Sequence, residues 1–162
     1  MKQKADFEKL KELVKDIHIA MLSSIKDNQV HSRPMATSEV DADGTIWFFT
    51  KDDSAKVTEI EQNASVTLSY ANPQSNTYVA VIGKTAVSHD KEKIKELWNP
   101  MLKAWFPNGP EDPEIGLLKF TPETAEYWDS KAGRMVALFN IAKAALNGQT
   151  YDQGEHGKLN LN

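Results

Sequence analysis

Near the N-terminus the apolar positions fall at Phe7, Leu10, Leu13, Val14 and Ile17, with lysines and glutamates between them. Steps of three and four put those side chains on one side of a 3.6-residue helix. The spacing predicts an amphipathic helix of about four turns whose apolar stripe lies on a core. From His18 the period changes. Residues 18–25 are apolar and β-prone, Asp27-Asn28 marks a turn, and residues 29–38 read as a second strand carrying Pro34. A proline donates nothing to a ladder, so this strand belongs at an edge, or its backbone faces something other than a neighbouring strand. After the turn at residues 41–44, residues 45–50 (TIWFFT) read as a third strand.

Asp52, Asp53 and Ser54 are N-cap candidates for a helix running to about Gln62, with Val57 and Ile60 inward. Residues 64–71 and 77–88 read as the fourth and fifth strands, and residues 90–105 as a helix interrupted at Pro100. FPNGPEDP at residues 106–113 is rich in breakers. Two last strands, 115–121 and 123–129, flank Pro122, and residues 135–146 read as a final helix. The expected organisation is one domain over residues 1–147 and a loose polar tail over residues 148–162. The sum is a mainly β protein with peripheral helices: six to seven mostly antiparallel strands closed into a small barrel.

Composition narrows the chemistry. Nineteen Lys and Arg against 23 Asp and Glu leave a net charge of −4, which argues against a nucleic-acid partner. The absence of cysteine removes disulfides, thiolate metal sites and cysteine nucleophiles together. His18, His31, His89 and His156 are scattered, and no metal-ligand spacing occurs. Gly83-Lys84-Thr85 imitates the end of a phosphate-binding loop, but Tyr78 stands where its first glycine belongs. Neither a leader peptide nor a spanning segment is legible, so the expected compartment is the cytoplasm.

The positive signal is a pair of motifs. Ser32-Arg33-Pro34-Met35 sets one of the two arginines beside the strand proline. The run from Thr50 to Lys56 joins a strand end to a helix start. Free amides and a partial positive charge at a helix N-terminus, with the Thr50 and Ser54 hydroxyls and the Lys56 ammonium, make a phosphate cradle. The competing reading is a capped helix with a solvated lysine. Trp47 fits the core. Trp98, Trp105 and Trp128, with Phe106, do not fit a single inward stripe. They stack on a planar ligand, fill a subunit interface or pack on the barrel.

Taken in order, these segments resemble the pyridoxamine 5′-phosphate oxidase-like flavoproteins with the FMN-binding split-barrel fold, in particular the general stress protein 26 family. The likeness is carried by Met21-Leu22-Ser23-Ser24, Ser32-Arg33-Pro34-Met35, Ile46 to Thr50 followed by Ser54-Ala55-Lys56, the segment from Trp98 to Trp105, Glu126-Tyr127-Trp128-Asp129, and Gly154 to Lys158. The resemblance implies a homodimer with flavin (FMN, or FAD) at the interface. It implies that Arg33, Pro34, Met35, Ala36 and Thr37 line the ring, and that Thr50, Ser54 and Lys56 take the phosphate. Trp98, Trp105 and Trp128 are the aromatics a partner chain would supply. The chain departs from the oxidase in having no Arg-x-His segment near its end, with Arg134 its only arginine after Arg33. Vitamin B6 oxidation is therefore not implied. Two functions remain: an FMN-dependent oxidoreductase for a small substrate, and a non-catalytic stress protein that stores or senses flavin. A deazaflavin or haem protein on the same barrel is a third. No residue is singled out as catalytic.

Overall fold

The structure is a computed structural model that describes residues 2–52, 57, 60, 65–130, 134–150 and 154–161. Helix α1 (Lys2–Val14) leads into a hairpin of β1 (Ile19–Lys26) and β2 (Gln29–Ala36). Its two turn residues, Asp27 and Asn28, both have positive φ, 51° and 59°. This left-handed pair matches the twist of the strands it joins, and Asp and Asn tolerate it. Strands β3 (Glu39–Val40) and β4 (Ile46–Lys51) flank the tight turn at Gly44, whose φ is +82°. Strands β5 (Ser65–Asn72), β6 (Thr77–Ser88) and β7 (Ile115–Asp129) follow, with α2 (Lys91–Leu97) and two short 3₁₀ turns between β6 and β7. Helix α3 (Arg134–Asn147) and β8 (Glu155–Asn160) end the described chain. Val57 and Ile60 are helical and buried as expected. Among the described residues no helix is long and apolar enough to cross a membrane.

All the pairings are antiparallel, in the order β2-β1-β5-β6-β7-β4-β3, with β8 also on β7. The fold is a mainly β split barrel. Pro34 lies on an edge strand, as its missing amide demands. Two expectations need correcting. The strands expected on either side of Pro122 form one strand, β7, because a bulge absorbs the proline: Ile82 faces Thr124 while Gly83 faces Pro122. Gly83 lets the backbones approach there, since a β-carbon would sit 2.6 Å from Phe120 Cζ and collide with the Thr121 carbonyl. The tail expected to be loose instead adds β8 to the sheet, with Tyr127 and Trp128 paired to Gly157 and His156.

Inward positions of the strands, with Leu10, Leu13 and Val14 of α1, form the main core. A second core lies on the other face of β4 and β7, where Trp47, Ile115 and Leu117 pack against Ile94 and Phe106. Cover on both faces explains the unbroken Ile-Trp-Phe-Phe run of β4. Lys93 clips α2 to this face by donating to Glu39 (3.0 Å) and Asp41 (3.2 Å). Trp47 Nε1 also donates to Asp41, at 2.8 Å. Burial opposes ionisation of Asp41, but the bonds from Trp47 and Lys93 outweigh it and hold the carboxyl below the usual range.

Candidate functional site: a cleft at the split of the barrel

The barrel splits where β2 approaches β4. Between them lies a cleft of about 430 Å³, floored by Pro34, Met35 and Ala36 of β2 and by Phe49, Thr50 and Lys51 of β4. Ser38 stands at one end, and Leu102, Trp105 and Phe106 complete the wall. That volume is within the usual range for small-molecule sites. Among the described residues the lining is largely apolar, with no carboxylate or imidazole. Among the described lining residues the charge is the Lys51 ammonium, half exposed and only loosely paired with Glu114 at 3.9 Å. Among the described residues, β2 pairs as a strand only with β1.

Five of the residues expected at a site meet here: Pro34, Met35, Ala36, Thr50 and Trp105. Arg33 does not line the cleft; its Nη2 donates to the buried Ser24 Oγ at 2.7 Å. Thr37 turns to Tyr70, with its hydroxyl 3.0 Å from the phenol oxygen, and borders a separate cleft with Lys11, Lys15 and His18. Trp98 lies behind the wall, its ring edge-on to Phe49 at 6.2 Å between centroids. Trp128 is on the outer face of β7, stacked on His156 at 5.0 Å and 7°. Ser54 and Lys56 fall outside the described residues.

Phe106, grouped by sequence with the unplaced rings, is 3% exposed and belongs to the second core, whereas Trp105 is 61% exposed at the cleft mouth. Sequence reasoning passed over Ser38, Phe49, Lys51, Leu102 and Phe106 as lining residues. Lys51 carried a signal, being the cation directly after Thr50 at the strand end. The others carried none, because they reach the cleft from segments far apart in the chain.

A sequence profile described as "Pyridoxamine 5′-phosphate oxidase like" matches residues 5–152. The chain belongs to this family. A Jannaschia sp. CCS1 protein described as a general stress protein 26 superposes with a TM-score of 0.74 at 28% identity, covering 97% of this chain and 99% of that one. The general stress FMN/FAD binding protein of Xanthomonas citri superposes with a TM-score of 0.67 at 28% identity, over 80% and 92% of the two chains. Protein bli-3 of Neurospora crassa is 26% identical over 133 residues, 76% of this chain. The match spans 64% of the length of that curated relative.

Proposed function

We propose that the cleft binds a flavin, FMN first, and that the chain is a flavin-dependent oxidoreductase of general stress type acting on a small substrate. One observation carries the reading: an edge strand carrying a proline, a threonine-lysine pair and a tryptophan converge on one apolar cleft. The residues fit the group. Phe49, Leu102 and Phe106 supply an apolar wall for a planar ring. The β2 backbone beside the cleft serves the ring's polar rim, and Lys51 with Thr50 serves a phosphate. Bound flavin supplies hydride acceptance. The protein's part is to orient the ring, exclude water with the aromatic wall and neutralise the phosphate.

A second copy completes the site in this reading. Trp128 pairs with Tyr78 near one end of β7, while Ile115 at the other end pairs with Lys51 beside the cleft. In this reading Trp128 serves the flavin of the neighbouring protomer. The relative described as an FMN/FAD binding protein supports flavin chemistry and keeps FAD as the alternative cofactor.

The test is a titration of purified protein with FMN, FAD and riboflavin, followed by flavin fluorescence and by melting temperature. Quenching and a raised melting temperature at micromolar FMN support the reading. No response to any of the three overturns it. Turnover with reduced nicotinamide and a panel of acceptors then separates an enzyme from a carrier.

A further inference from the structure

The cleft beside Thr37 holds a cluster of basic groups that the flavin reading leaves unused. It has a volume of about 300 Å³ and lies between the end of α1 and the corner at Thr37 and Ser38. Ser38 also lines the larger cleft, so the two clefts share a wall. The basic groups are Lys11, Lys15 and His18, spaced four and three residues apart in the chain. Among the described residues, none of the three side chains makes an ion pair or a hydrogen bond. Glu39 is the carboxylate of the described lining, and it already accepts from Lys93 at 3.0 Å. Glu12 and Asp16 border a different cleft, which Lys15 also touches. Lysines four apart repel each other when no acid relieves them. In a chain of net charge −4, this cluster is a local reversal of sign, and a cleft of one sign concentrates ions of the other.

The uncharged polar atoms of the cleft favour the same kind of ligand. The Val14 and His18 carbonyls are taken by the Ile17 and Thr37 amides, each at 2.9 Å. The Thr37 hydroxyl lies 3.0 Å from the phenol oxygen of Tyr70, which is buried. Burial pushes the Tyr70 hydroxyl up to about 12, so the phenol keeps its proton. With Tyr70 donating to Thr37, the Thr37 hydroxyl has its own proton to give to a ligand.

We propose that this cleft binds a small dianion, a phosphate or a dicarboxylate, through Lys11, Lys15 and the Thr37 hydroxyl. Two ammonium groups match two negative charges, and charge-assisted bonds are the strong ones. His18 borders the same space and adds a further donor. Because Ser38 borders both clefts, an anion held here stands beside the occupant of the larger one. A small acidic molecule is therefore the substrate class that the two clefts take together. That substrate role rests on the flavin reading; the anion site itself does not.

The experiment titrates the full chain, free of flavin, with sodium phosphate and with sodium malonate at constant ionic strength. Backbone amide shifts and the melting temperature are followed. Saturable shifts at residues 11–18 and 37–40 and a raised melting temperature are expected, with sodium chloride producing neither. A response to both dianions, or to one of them, supports the site and defines its ligand. A Lys11→Gln, Lys15→Gln double variant should melt like wild type yet bind about tenfold more weakly or worse. A Lys11→Arg, Lys15→Arg variant should retain most of the binding. Shifts confined to residues 49–51, an equal response to chloride, or a glutamine variant that binds like wild type would each overturn the inference. So would displacement of the dianion from residues 11–18 by added FMN, since the two ligands would then share one site. A protein that binds the dianion at residues 11–18 but no flavin would sustain the inference and defeat only the flavin reading.

Discussion

Thr37 and Ser38 donate their consecutive amides to opposite ends of the sheet. The Thr37 amide bonds the His18 carbonyl at 2.9 Å, and the Ser38 amide bonds the Trp47 carbonyl at 2.8 Å. The chain thus leaves β1 and joins β4 within one residue, and this corner brings the two edges of the sheet around the cleft. Substituting Ser38→Pro removes the second donor and strands a carbonyl. Urea unfolding should show a loss of about 1–3 kcal/mol. FMN affinity should fall with it, because the corner sets the width of the cleft. A variant with unchanged stability would show that the corner is held by other contacts.

Lys51 is the cation among the described residues of the cleft lining. Lys51→Ala should weaken FMN about tenfold, the lower end for a charge-assisted contact, because its side chain is half exposed. Riboflavin, without the phosphate, should be nearly unaffected, and added salt should narrow the gap. Equal losses for both ligands would remove Lys51 from phosphate binding. Lys56→Ala, tested in parallel, measures the lysine that the resemblance assigns to the phosphate.

Trp105 and Phe106 are neighbours with opposite burdens. Phe106→Ala opens a hole in the second core and should cost about 3–5 kcal/mol in denaturant unfolding. Trp105→Ala removes an exposed ring and should change stability by less than about 0.5 kcal/mol. Its effect should appear instead as FMN affinity reduced about three- to tenfold, the scale of an aromatic stacking contact. The opposite pattern would put Trp105 in the fold and out of the site.

Alkaline pH should act on the same corner. Burial pushes the Tyr70 hydroxyl up to about 12, against a smaller opposing effect of its bond to Thr37. The bond from Tyr127 to Glu155, with burial, likewise raises Tyr127 to about 12. Both groups bind their protons more tightly folded than unfolded. Their contribution is therefore complete below pH 10 and lost as pH rises from 10 through 12. Tyr70→Phe should flatten that part of the stability curve, measured by urea unfolding at stepped pH with phenolate absorbance recorded alongside. An unchanged slope would show that Tyr70 ionises only after the protein has opened.

Local patterns were enough for α1, α2 and α3, the Asp27-Asn28 hairpin, the edge position of Pro34 and the break at Pro100, because each follows from near neighbours in the chain: a period, a positive φ, a missing amide. Residues 34–36, which the resemblance assigns to the ring, and Thr50, singled out at a strand end, line the same cleft. Long-range packing decided the rest. Trp98 and Trp105 sit seven residues apart in one aromatic segment, yet one supports Phe49 from behind and the other stands at the cleft mouth. Nothing in their local sequence separates them, since a ring's burial depends on which distant strand lies beneath it. Pro122 marked a strand end by its own chemistry, but a bulge opposite Gly83 carries β7 through it. The polar residues 155–160 had no period to announce a strand, and the free edge of β7 recruits them by backbone hydrogen bonds, which any sequence other than proline can make.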